Sequence, residues 1–181
     1  MIPTPTAPQV WAIAAGMERC FETVTRAIEG LRPDQLYYLP TPESNSIAWM
    51  AWSLSRWKDV YTGALTGEPQ AWASEGWAGR YGMSAEATGY RDTPEMVAAF
   101  RPDVGLLRPY AAAAHRAAMR RLGMVTEAHL AREFVVPYGT LTGARLLINM
   151  LTGFMQHTGS IGYVRGMVTG RGWNEPPAAR A

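Results

Sequence analysis

The stretch SIAWMAWSLSRWKD, Ser46 to Asp59, decides how the rest of the chain is read. Ser44, Asn45 and Ser46 offer N-caps ahead of it, because a short side-chain oxygen accepts an orphan backbone N–H of the first turn. Ile47, Met50, Leu54, Trp57, Tyr61 and Leu65 then recur at three- and four-residue steps, the period of one helical face. Trp49, Trp52 and Ser53 lie beside that stripe. Ser55, Lys58 and Asp59 are expected on the solvated side. Gly63 and Gly67 bracket the end of the helix.

The same period runs upstream and downstream. Val10, Ile13, Met17, Cys20/Phe21, Val24, Ile28 and Leu31 form a stripe, with Glu18, Glu22 and Glu29 opposite and Gly30 and Pro33 as the stop. Leu106/Leu107, Tyr110, Ala114, Ala117/Ala118 and Leu122 form another, ended by Gly123. Thr93-Pro94-Glu95 is a good helix opening ahead of it, and Pro102 bends or restarts that helix. Leu147, Met150/Leu151, Phe154, His157, Ile161 and Val164 continue a last stripe to about Val168. Thr126 to Pro137 reads as a short helical turn and an extended connector, and no β-hairpin signal competes with the helices. The segment from Glu68 to Asp92 has no clean period but carries Trp72, Trp77, Tyr81 and Tyr90, so it is expected to pack as an ordered lid. The expected fold is all-α: a four-helix bundle with a long crossover between its second and third helices.

A chain of 181 residues suits one domain, here 1–181 with an ordered core from about 8 to 173 and a loose tail. Apolar residues make up 48% and charged residues 18%, which excludes a disordered or acidic solvating protein. A net charge of +2 is thin support for nucleic-acid binding, and the Arg116, Arg120 and Arg121 cluster reads as a solvated helix face. Cys20 alone makes neither an internal disulfide nor a multi-cysteine metal site, so a reducing, cytoplasmic setting is expected. No stretch reaches the roughly 20 apolar residues of a membrane span, and no targeting segment is visible. Lys58 is the only lysine, so any Schiff-base mechanism would have to use it or the N-terminus, and that class is set aside.

Three histidines remain. His115, beside Arg116, and His129, in a turn, are expected to be flanking or solvated. His157 shares the inward stripe of the last helix, so its imidazole should point into the bundle. A ring in that place is either a hydrogen-bonded core histidine or part of a site.

Ser46 to Asp59, followed much later by HTGSIGYVRG, His157 to Gly166, resembles the DinB-like superfamily, the DinB/YfiT-like four-helix-bundle proteins related to thiol-dependent isomerases and transferases. WAGRYG, Trp77 to Gly82, and Thr93-Pro94-Glu95 resemble the family's segments between its second and third helices. The resemblance implies a three-histidine metal site with one ligand from the second helix and two from the fourth. Ligands four residues apart share a helical face, and a facing helix supplies the third. In this chain those positions are Ser53, Gly153 and His157, so His157 is the only family ligand retained. A hydroxyl and a bare glycine cannot replace two imidazoles for zinc or nickel. Cys20, Asn149 and Asp59 are no better placed to rescue the site. No metal and no other cofactor is therefore expected.

What the substitutions should leave is a pocket beside His157, lined by Trp49, Met50, Ser53, Trp57, Gly153 and Phe154, unless the tryptophans have filled it. The leading expectation is a metal-free homodimer that binds a small molecule or serves structurally, without nucleic acid or membrane. The alternative is a zinc- or nickel-dependent thiol transferase or isomerase using His157. A third is an interaction module built on the Glu68 to Asp92 excursion. Ser53 facing His157 would give the minimum of an activated nucleophile, but no orienting carboxylate, oxyanion hole or Gly-x-Ser-x-Gly elbow accompanies it.

Overall fold

The structure, a computed structural model, describes residues 7–136 and 139–171. The far end of the expected core, residues 172 and 173, and the tail lie outside the described residues. In chain order the elements are α1 (Gln9–Ile28), α2 (Pro33–Leu36), α3 (Ile47–Thr66), α4 (Ala71–Ser74), α5 (Trp77–Tyr81), α6 (Pro94–Ala99), α7 (Val104–Gly123), α8 (Glu127–Ala131), β1 (Glu133–Val136), β2 (Gly139–Thr142) and α9 (Gly143–Thr169).

Four long helices, α1, α3, α7 and α9, make the bundle. Among the candidate caps Ser46 is used, its Oγ accepting from the Trp49 N–H at 3.1 Å, and Gly67 ends α3 in the left-handed region at φ 78°. Thr93 caps α6 in the same way, and the chain restarts as α7 just past Pro102. Each long helix packs against two others: α3 on α7 and α9, and α1 on α9 and α7.

Side-chain pairs give the directions. The α3–α7 contacts run Arg56 to Tyr110, Lys58 to His115 and Asp59 to Arg121, so these two helices are parallel. Glu18 meets His115 and Glu29 meets Arg108, which makes α1 and α7 antiparallel. A parallel pair joined by one connection requires a crossover that returns the length of a helix, roughly 30 Å for about 20 residues. Residues 67–103 are that crossover. The aromatics of this segment build a second core against α3 and α7. Trp72 sits 6.0 Å from Trp52 and 5.0 Å from Tyr110, and Phe100 lies 4.9 Å from Trp52.

Several sequence expectations are corrected here. The crossover covers what would have been the solvent face of α3, so that helix is buried nearly all round. Ser55, Lys58 and Asp59 are buried rather than solvated, Asp59 under the crossover and Lys58 among Phe21 of α1, His115 of α7 and Phe154 of α9. Asp59 accepts from the Ala71 and Trp72 backbone N–H groups at 3.0 and 2.8 Å, capping α4 from a distance. Arg121 donates to it at 2.8 Å, and Arg56 lies 3.5 Å away. Of the arginine cluster, Arg116 and Arg120 are exposed, but Arg121 is fully buried in this network. His115 is buried too, and His129 is half-buried, its Nδ1 accepting from the Thr126 N–H at the start of α8. Finally, β1 and β2 pair as a small antiparallel hairpin, with Glu133 opposite Thr142, where only a connector was expected.

Candidate functional site

His157 projects from α9 towards α3 and is half-buried. Its ring meets Trp49 edge-on, with centroids 6.3 Å apart and planes at 77°. Burial lowers its pKa from the ordinary histidine value, which favours the neutral ring. None of the hydrogen bonds among the described residues reaches either ring nitrogen. The imidazole therefore keeps one donor and one acceptor available.

Two hollows meet at this ring. The first is a cavity of about 230 Å³ between α3 and α9, walled by Leu54, Trp57, Tyr61, Tyr90, Asn149, Met150, Gly153, Phe154 and His157. The helical period explains the set: Trp57 and Tyr61 come from one α3 stripe, and Asn149, Gly153 and His157 stand one turn apart on α9. A Cβ placed on Gly153 would meet nothing within 4 Å, so the missing side chain is open space. The second hollow, about 720 Å³, runs outward between α9 and the segment before α3, past Pro40, Glu43, Ser44, Asn45, Met50, Gln156, His157, Ser160 and Tyr163. The inner cavity is aromatic and the outer groove polar-walled.

The structure brings Trp57, Gly153, Phe154 and His157 together on the inner cavity, and places Met50 with His157 on the outer groove. Trp49 touches the His157 ring, and its Nε1 donates to Asp92 at 2.9 Å. Ser53 lines neither hollow. It is 1% exposed and sealed by the crossover at Gly89, where an added Cβ would lie 2.9 Å from Trp49, 3.1 Å from Trp52 and 3.2 Å from Ser53 Oγ. That hydroxyl has no hydrogen-bond partner among the described residues, His157 included. The serine–histidine pair that the sequence allowed is not assembled.

Sequence reasoning missed Tyr90 as a wall of the cavity. It comes from the crossover and rests against Trp57 at 5.9 Å, and no periodic signal could have placed it there. Leu54 and Tyr61 were legible as members of the α3 stripe.

The donor set does not fit the metal centre that the fold family implies. Ser53 is turned under Gly89, Gly153 offers nothing, and among the described residues no three His, Cys, Asp or Glu side chains converge on a point.

The fold and these positions define a DinB-type helical bundle. Residues 17–161 match the profile of the DinB superfamily, and the chain belongs to that family. A solved structure, that of the conserved protein of locus from Enterococcus faecalis, is similar with a TM-score of 0.78 and 21% sequence identity, over 88% of this chain and 96% of that one. At that identity the likeness shows the fold. No curated protein matches. Among the described residues no helix is long and apolar enough to cross a membrane.

Proposed function

We propose that this chain is a metal-free member of its family that binds a small molecule at His157, with a flat apolar part in the inner cavity and a polar part along the outer groove. The observation that carries the reading is the open space at Gly153 beside an imidazole with no hydrogen-bond partner among the described residues. Together they join an aromatic-lined cavity to a ring with one free donor and one free acceptor, the combination of apolar walls and few convergent polar groups that small-molecule sites use. The cavity, at about 230 Å³, is below the usual drug-sized range of roughly 300–1,000 Å³, so the apolar part is about one ring in size.

The test is a fragment screen of single-ring aromatic compounds, read by thermal shift and by the His157 ring proton signals. Binders are expected to move those signals and to be lost in Gly153→Leu, which fills the cavity. Binding that survives Gly153→Leu sinks the reading. So does near-stoichiometric zinc or nickel in protein purified without an affinity tag, which would favour a metal-dependent thiol transferase or isomerase instead.

A homodimer belongs to the same proposal. Ile148, Met155 and Tyr163 run along one outer face of α9, 45%, 59% and 72% exposed, with Trp11 of the neighbouring α1 at 55%. An exposed apolar stripe of this kind supports self-association.

A further inference from the structure

The only lysine of the chain, Lys58, is 1% exposed at the centre of the bundle. Its Nζ lies 3.2 Å from His115 Nδ1, and His115 Nε2 lies 3.2 Å from Glu18 Oε2. The Glu18 side chain is 27% exposed, so this chain of three groups runs from the interior to solvent. The imidazole is stacked on Phe21 at 3.9 Å and 5°, which fixes its plane. A carboxylate accepting from Nε2–H selects the tautomer whose Nδ1 turns its lone pair to the amine. A nucleophile within reach of a base that a third group orients is the arrangement of an activated nucleophile.

The surroundings favour the free amine. Burial does this although Nζ sits between the Phe21 and Phe154 rings, 5.0 Å from each centroid, whose faces favour a cation. Burial pushes Lys58 down to about 7, against the upward pull of Cys20 and Glu18 on α1 and Asp59 on α3. From α7 it faces His115, itself held low by burial and by Lys58, and from α9 the uncharged Phe154. Phe154 is also a wall of the His157 cavity, so its ring stands between the amine and that space.

We propose that Lys58 is an imine-forming amine, reached by small aldehydes or ketones from the His157 cavity past the Phe154 ring. The nitrogen lone pair forms a C–N bond to the carbonyl carbon while the C=O π pair moves to oxygen. His115 passes the proton from nitrogen to oxygen, giving a carbinolamine. A second proton, entering from solvent past Glu18 and His115, lets the hydroxyl leave as water while the nitrogen lone pair closes the C=N bond. The protonated imine that results lies between two aromatic faces, where a cation is favoured. Hydrolysis reverses each step, and no oxidant or reductant is consumed. The proposal uses the cavity as a route and does not depend on the ligand reading above.

The full chain is incubated at pH 7 with propionaldehyde and sodium cyanoborohydride, which reduces the imine to a stable propylamine, and the product is mapped by peptide mass spectrometry. Nα-acetyl-lysine in the same tube is the reference. An ordinary lysine at pH 7 is neutral to only about four parts in ten thousand, so Lys58 is expected to react about tenfold faster or more. Phe154→Ala is expected to raise the rate further. Glu18→Gln is expected to move the midpoint of the pH–rate profile down, since it removes a negative charge that favours the ammonium. Labelling of Lys58 in a chain for which the fragment screen finds no binder, or a fragment binder without labelling, tells the two readings apart. An adduct that forms on Lys58 only in denaturant, or only in Phe154→Ala, overturns the proposal.

Discussion

A lysine carrying a depressed pKa inside a helical bundle has a thermodynamic signature of its own. The folded amine titrates near 7, whereas an unfolded lysine titrates near 10.4. Between those values the unfolded chain holds the extra proton, so stability should rise with pH, by at most about 1.4 kcal/mol per unit. Urea melts from pH 7 to 10 should show this slope in the wild type and lose it in Lys58→Met. That variant should also melt higher at pH 7, because a buried amine is replaced by an apolar chain of similar shape. Asp59 behaves in the opposite way. It compensates Arg121 and Arg56 and caps α4, so Asp59→Ala leaves two buried guanidinium groups short of their anion. The expected loss is about 3–5 kcal/mol by chemical denaturation. A loss below about 1 kcal/mol would mean that the network is incidental to stability.

At the scale of elements, the four long helices could be read from their periods and punctuation. Ser46, Gly67 and Thr93 sit where a sequence reader would place caps, because capping is a local transaction between neighbouring residues. The crossover was legible as ordered but not as a cover, since which face of α3 it shields depends on contacts more than ten residues apart. That is why Asp59 was misplaced and Tyr90 was missed. Lys58 was misplaced because its charge alone suggested a solvated face, whereas its side chain turns to Phe21, His115 and Phe154. The hairpin of Glu133–Val136 with Gly139–Thr142 was missed because each strand is only 4 residues long, too short for an alternating pattern to stand out. His157, Gly153 and Trp57 could be found as neighbours because stripes on facing helices bring them together, while the displacement of Ser53 could not. It follows from Gly89, whose φ of +79° lets the backbone lie flat on the Trp49 and Trp52 rings. Gly89→Ala should therefore strain both the backbone and the packing, and open residues 82–93 to limited proteolysis. Gly153→Ala should do the reverse. It adds a methyl group to open space and removes a mid-helix glycine, for a gain of about 0.5–1 kcal/mol.

For the whole molecule, the apolar outer face of α1 and α9 bears on assembly. Sedimentation equilibrium should give twice the 19.9 kDa chain mass, and Met155→Glu should return it to the monomer value. A monomer at all concentrations would leave that face to a different partner.

The parallel pairing of α3 with α7 also says how the chain can be shortened, and how it cannot. Surface insertions are commonly trimmed without harm, but residues 67–103 span the full rise of a helix and wall in Trp52, Arg56 and Asp59. A short linker in their place could neither reach the start of α7 nor shield those groups. Such a truncation should yield insoluble material and not a minimal bundle, and an intermediate whose crossover has not yet docked should be the species most prone to aggregate.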